Sequence, residues 1–183
     1  MSYPYEIRHS PFYLKRGIRK LLLIFISLLG LMGCADQEVQ PETTRHLNQA
    51  IPSFELVLAD GSKFNTGNIG MGKSTVLFYF SPYCPYCRAQ MIELIDNLDQ
   101  VRDINFYMIT SFPFEEMKKF YQKYELNKYA NMIVGVDPNN YFNQYFEAKG
   151  VPALAIYNKN KKLNSLFVGE VKVGQIVKVS EKI

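Results

Sequence analysis

Two thiols three residues apart, in Cys84-Pro85-Tyr86-Cys87, are the side chains of this sequence best suited to chemistry. On a first helical turn that spacing lets the two sulfurs close a small disulfide ring with little movement of the backbone. The preceding run Ser74-Thr75-Val76-Leu77-Phe78-Tyr79-Phe80 reads as a strand buried on both faces and covered by helices on both sides. Beyond it, Cys87, Met91, Leu94, Leu98 and Val101 recur at spacings of three and four, which predicts a helix with one buried stripe. The pair therefore sits where a strand hands over to a helix. The first sulfur faces the unpaired N–H groups and positive end of that helix, which favour its thiolate, and Arg88 adds a cation next door. Pro85 stands near the helix start, where its missing N–H costs nothing. Cys84 is expected to be the exposed nucleophile, and Cys87 the more buried thiol that resolves a mixed disulfide.

Other uses of the cysteines fit less well. Three cysteines in 183 residues, Cys34, Cys84 and Cys87, are too few for a disulfide framework. A structural zinc site needs about four ligands. The two histidines, His9 and His46, lie in the leader and in the segment that follows it, so no metal is expected. A structural disulfide between Cys84 and Cys87 would constrain almost nothing. A peroxidatic cysteine wants a proline and a Thr or Ser ahead of it; Ser81 is present, but Leu77 stands where the proline should be.

The first 33 residues form a leader. A basic stretch ending Lys15-Arg16-Gly17-Ile18-Arg19-Lys20 precedes a short apolar run, Leu21 to Met32, and then Gly33-Cys34. This is the pattern of a secretory signal, and the run is short for a span of about 30 Å of hydrocarbon, which takes roughly 20 residues. An uncleaved membrane anchor is the other reading. Leu31-Met32-Gly33-Cys34 resembles the bacterial lipobox, which implies a lipid on Cys34 and cleavage before it. Either anchor places the remainder outside the cytoplasm, because the positive charges flank the inner side of the apolar run. The formal charge of +4 belongs wholly to this leader, where Arg8, Lys15, Arg16, Arg19 and Lys20 oppose Glu6 alone. With residues 34–183 formally neutral, a nucleic-acid partner has no electrostatic support. Residues 34–50 are polar and lack hydrophobic periodicity, so they read as a flexible tether.

The remaining residues, 51–183, read as one α/β domain. Ile51 to Leu58 alternates in part, and Asp60-Gly61 turns the chain into Ser62 to Thr66 as a hairpin. Strands are expected at Ile104 to Thr110 and Met132 to Val136, with a helix at Phe114 to Tyr124 and a shorter one at Tyr141 to Ala148. A closing hairpin, Val151 to Tyr157 and Lys162 to Val168, precedes an amphipathic helix carrying Val173, Ile176 and Val177. Strands alternating with helices imply a central mixed β-sheet flanked by helices.

Several of these pieces together resemble the thioredoxin superfamily, and within it the membrane-tethered TlpA/ResA-type redoxins, which are AhpC-TSA-like. They are Ile51-Pro52-Ser53-Phe54, Asp60-Gly61-Ser62, the run Gly72 to Phe80 leading into the CxxC, and Gly150-Val151-Pro152-Ala153. The resemblance implies a thioredoxin-like fold with an N-terminal β-hairpin. It implies that the long stretch between Cys87 and Pro152 holds the TlpA-type insertion of an extra helix and strand. It also implies a cis Val151–Pro152 bond packed beside the dithiol, with Pro152 blocking metal capture and the Val151 backbone pairing with an extended substrate segment. Tyr83 takes the place of the tryptophan common before the first cysteine and offers a flat apolar wall to substrate. Phe78 stands where thioredoxin keeps its buried acid, so the usual proton acceptor for Cys87 is absent. The dipeptide within the CxxC is that of glutaredoxins, but the leader and the long insertion argue against glutathione chemistry.

These observations point to an extracytoplasmic, lipid-anchored thiol–disulfide oxidoreductase on the periplasmic face of a membrane. Its expected partners are exported proteins with cysteines and a membrane or envelope electron donor or acceptor. It is expected to act as a monomer and to need no cofactor besides the Cys84–Cys87 disulfide. The alternative is a non-catalytic thioredoxin-like binding or assembly module of the cell envelope.

Overall fold

The computed structural model describes residues 38–182. The expected leader and Cys34, the expected site of lipid attachment, lie outside the described residues. Seven strands make one mixed sheet: β1 (Glu55–Leu58), β2 (Lys63–Asn65), β3 (Ser74–Tyr79), β4 (Ile104–Thr110), β5 (Met132–Val136), β6 (Ala153–Tyr157) and β7 (Leu163–Val168). Their order is β2-β1-β5-β4-β3-β6-β7. β3, β4 and β5 are parallel, and every other pairing is antiparallel. The helices are α1 (Pro85–Asp96), α2 (Leu98–Val101), α3 (Phe114–Lys123), α4 (Tyr141–Phe146) and α5 (Val173–Ser180).

The period-two geometry of β3 divides the core. Val76, Phe78 and Phe80 face α1, α3 and α5, packing with Met91, Leu94, Met117, Phe120 and Ile176. Leu77 and Tyr79 face the opposite layer, where α4 contributes Phe142 and Phe146 and the N-terminal residues contribute Ile51, Phe54 and Ile69. A strand buried on both faces is why this run carries apolar residues without alternation. The extra strand and helix between α3 and β6 are β5 and α4. β5 extends the parallel set, and β1 then pairs with it through Val57↔Val136 and Leu58↔Gly135. Residue 135 is glycine because a Cβ there would lie 3.2 Å from Leu56 and Leu58.

Element boundaries differ from expectation where local hydrogen bonding intervenes. The helix after the dithiol breaks at Asn97, whose side-chain amide donates to the Glu93 carbonyl at 2.9 Å, and α2 resumes the stripe as a separate turn. α4 ends at Phe146 instead of Ala148, because Glu147 adopts φ +53°. β1 starts at Glu55 and not at Ile51; the Pro52 carbonyl accepts from the buried Thr66 hydroxyl at 2.6 Å.

The expected tether at residues 34–50 needs correction from residue 38 onward. The Glu42 and Asn48 amides donate to Leu166 and Leu163 carbonyls at 2.7 and 2.9 Å, and the Leu163 amide donates to Gln49 at 3.0 Å. This strap covers the outer edge of β7, which would otherwise present unpaired backbone. Val39 exchanges two hydrogen bonds with the Gln175 side chain on α5. His46, 8% exposed, stacks on Tyr145 at 3.9 Å. Its ring nitrogens lie 2.9 Å from Gln49 Oε1 and 2.9 Å from the Tyr145 carbonyl. The segment is polar because backbone bonds and one buried imidazole hold it, with no apolar stripe. His46→Ala is expected to cost about 2–4 kcal/mol by stranding these acceptors and emptying the stack, read as a lower urea midpoint. A change below about 0.5 kcal/mol would mean that the strap is not anchored there. Among the described residues no helix is long and apolar enough to cross a membrane.

Candidate active site

Cys84 is the N-cap residue of α1, and Pro85 is the first residue of the helix. The Cys84 amide donates to the Ser81 carbonyl at 3.2 Å, and its own carbonyl accepts from the Arg88 amide at 3.2 Å, so both sides of the turn are fixed. The residue is partly exposed, and its sulfur donates to the Val151 carbonyl at 3.5 Å. The Val151–Pro152 bond is cis. Thus β3, α1 and the residues leading into β6, which are far apart in sequence, meet at one sulfur.

Cys87 lies one turn further and is fully buried in the α1 layer of the core. Both thiols are free, so this is the dithiol form. Burial pushes the Cys87 thiol up to about 12, and a hydrogen bond and charge from the Cys84 sulfur push the same way. A backbone hydrogen bond from Ser81 and the Arg88 charge pull against this and lose. Among the described residues no carboxylate acts on Cys87. Phe78, at the position of thioredoxin's buried acid, is completely enclosed among aromatic and aliphatic neighbours.

Tyr83 is 58% exposed immediately before Cys84, and Tyr86 is 63% exposed within the CxxC. The Tyr83 ring meets Phe112 edge-on at 5.5 Å, and its hydroxyl donates to Glu116 Oε2 at 2.5 Å. Tyr83, Cys84, Val151 and Pro152 are therefore brought together at one end of the sheet, with Cys87 behind Cys84. Sequence reasoning missed Phe112 and Glu116. The signal for Glu116 was faint: an acid in the first turn of a helix, three residues before Lys119. It also missed Gln90, buried on α1. Gln90 Oε1 accepts from the Val171 amide at 2.6 Å, and its Nε2 donates to the Val171 carbonyl at 2.9 Å. Glu93 accepts from the Val173 amide at 3.2 Å, so α1 is tied to the start of α5 and the dithiol rests on a fixed helix.

A strand-to-helix turn that offers one accessible sulfur, keeps a second behind it and places a backbone carbonyl alongside can form and break a disulfide with an extended chain. The AhpC/TSA family model matches residues 47–166, from the strap through most of β7. No curated protein matches the chain. Among solved structures, the exposed lipoprotein thioredoxin Etrx1 of Streptococcus pneumoniae superposes with a TM-score of 0.59 at 20% identity, covering 72% of this chain and 100% of its own. StoA of Bacillus subtilis gives 0.55 at 15% identity, covering 72% and 99%. Peroxidoxin BcpB of Mycobacterium tuberculosis gives 0.61 at 12%, covering 74% and 96%. At such identities the likeness is one of fold, and that fold is thioredoxin-like.

Proposed function

This chain belongs to the AhpC/TSA family, and on that premise we propose that it is a thiol–disulfide oxidoreductase, anchored by lipid on Cys34 and working outside the cytoplasm. The observation that carries the reading is the accessible Cys84 sulfur at the start of α1, bonded to the Val151 carbonyl and backed by the buried Cys87. The Cys84 thiolate attacks one sulfur of a substrate disulfide. A Cys84–substrate bond forms, and the other substrate sulfur leaves as a thiolate that takes up a proton. Cys87, deprotonated, then attacks the Cys84 sulfur; the Cys84–Cys87 bond forms and the second substrate thiolate departs. Two electrons pass to the substrate, and an envelope donor must return them. The reverse sequence oxidises a dithiol.

The pair Cys84–Cys87 serves as the redox group without a further cofactor. Exported proteins with cysteines are its substrates, bound with backbone against Val151 and apolar side chains against Tyr83. The basic leader, the short apolar run and Gly33-Cys34 support export and acylation. Etrx1, which shares the fold, is described as an exposed lipoprotein. Peroxide reduction is the weaker use of this site, because Leu77 replaces the proline that should precede a peroxidatic cysteine.

The test is a redox equilibrium of the full chain in detergent, poised in glutathione buffers, with thiols counted by alkylation and intact mass. A reversible two-electron transition at Cys84 and Cys87 is expected. A potential near −270 mV or below would make it a reductant, and one between about −120 and −180 mV an oxidant or isomerase. The same mass shows whether the chain begins at an acylated Cys34. If the two thiols never interconvert reversibly, the oxidoreductase reading falls and a non-catalytic binding module takes its place.

A further inference from the structure

The substrate face beside Cys84 depends on where the Tyr83 ring stands. More than half exposed, on a turn and with two side-chain torsions, such a ring would sample several rotamers unless something held it. Two contacts hold it, and both come from the β4–α3 region: the edge of Phe112 and the carboxylate of Glu116.

Glu116 is built for this. It lies in the first turn of α3, where unpaired amides and the helix dipole favour a negative charge. Its own amide donates to the Pro113 carbonyl at 2.9 Å, which fixes the backbone beneath it. Its side chain is only 25% exposed, and both oxygens are used: Oε2 accepts from the Tyr83 hydroxyl, and Oε1 from Lys119 Nζ at 2.8 Å. Lys119 and the Tyr83 hydrogen bond hold the carboxyl below the usual carboxylate range, so it stays an acceptor. A phenol reaching a carboxylate is a charge-assisted hydrogen bond, stronger and more directional than one between neutral groups.

We propose that Glu116 is a positioning residue, which fixes the Tyr83 ring against Phe112 and so presets the docking surface beside Cys84 for extended protein substrates. This rests on the oxidoreductase reading. A preset surface spares a long substrate the cost of ordering it, whereas a small disulfide that touches only the sulfur gains little.

The test uses the full-length protein with insulin as the protein disulfide and 5,5′-dithiobis(2-nitrobenzoate) as the small one. Glu116→Ala is expected to raise KM for insulin about fivefold with kcat held within about twofold, and to lower the insulin-to-small-disulfide ratio of kcat/KM by a similar factor. Tyr83→Phe, which removes only the hydroxyl, should do the same, and the double variant should be no worse than either single one. Glu116→Gln keeps an acceptor oxygen and should recover most of the loss. Equal losses on both substrates, additive single effects, or a wild-type KM in Glu116→Ala would overturn the proposal.

A titration of the Tyr83 phenol reads the pair independently of turnover. The Glu116 bond raises the pH at which Tyr83 ionises, so the wild-type-minus-Tyr83→Phe absorbance difference should titrate lower in a Glu116→Ala background. An unmoved titration defeats the proposal even if insulin is reduced. A moved one keeps the pair in place even if insulin is not, and the oxidoreductase reading then fails alone.

Discussion

Cys84→Ser should lower disulfide-exchange turnover at least about 1,000-fold, whereas Cys87→Ser should keep the first step and stall after it. The asymmetry follows from access. Cys84 is partly exposed with its sulfur beside the Val151 carbonyl, while Cys87 has 0% of its surface exposed. A substrate disulfide cannot meet Cys87 without opening the α1 layer, so Cys87 cannot start the reaction in the absence of Cys84. In Cys87→Ser, the first attack proceeds and nothing displaces the substrate. The product is a covalent adduct on Cys84, visible as a mass increase that a reductant removes. Both variants should fold, because serine is close in size to cysteine, its hydroxyl can keep the bond to the Val151 carbonyl, and no disulfide is there to be lost. Native-state alkylation gives the companion reading: one fast-reacting thiol in the wild-type dithiol, and none in Cys84→Ser. Turnover surviving in Cys84→Ser would remove the nucleophile from the proposed function. Adducts on Cys87 would reverse the two roles.

What was legible in the sequence divides along a physical line. β4 and β5 match their expected bounds residue for residue, Ile104–Thr110 and Met132–Val136, because central parallel strands are apolar on both faces and end abruptly at polar residues. The dithiol and its strand-to-helix setting were readable for a related reason, that the chemistry restricts which residue types can stand there; the late Val151-Pro152 was readable only through the family resemblance. The strap was not. Its attachment consists of backbone bonds to Leu163 and Leu166 and a ring stacked on Tyr145, roughly 100 residues or more away in the chain. No local pattern of polar residues announces such partners. Glu116 was hidden because a charged residue on a helix start reads as solvated surface. Only the fold brings the Tyr83 hydroxyl to it from 33 positions earlier. The break at Asn97 was similarly masked, since the apolar stripe continues across it.

Release of substrate from the mixed disulfide should speed up roughly tenfold for each pH unit between 7 and about 10, in contrast to an enzyme with an internal base. Cys87 must be a thiolate to attack, and burial pushes its thiol up to about 12. Once Cys84 is in the mixed disulfide, its contribution to that rise is gone, but burial is the largest cause and remains. Where thioredoxin places a carboxylate to accept this proton, the chain has Phe78, sealed between β3 and the α1 layer. The thiolate fraction therefore follows solvent pH, and the resolving step follows the thiolate fraction. The adduct of Cys84 with 2-nitro-5-thiobenzoate isolates the step, because the released thiolate absorbs strongly and its own charge is constant over this range. Stability gives a second reading with a definite sign. The folded Cys87 value lies above the ordinary 9.0, so the neutral thiol stabilises the fold fully below about pH 9 and the contribution is lost as pH rises toward 12. The dithiol form should therefore lose stability over that window more steeply than Cys87→Ser. A release rate flat from pH 7 to 9 would mean that some group of the protein takes the proton.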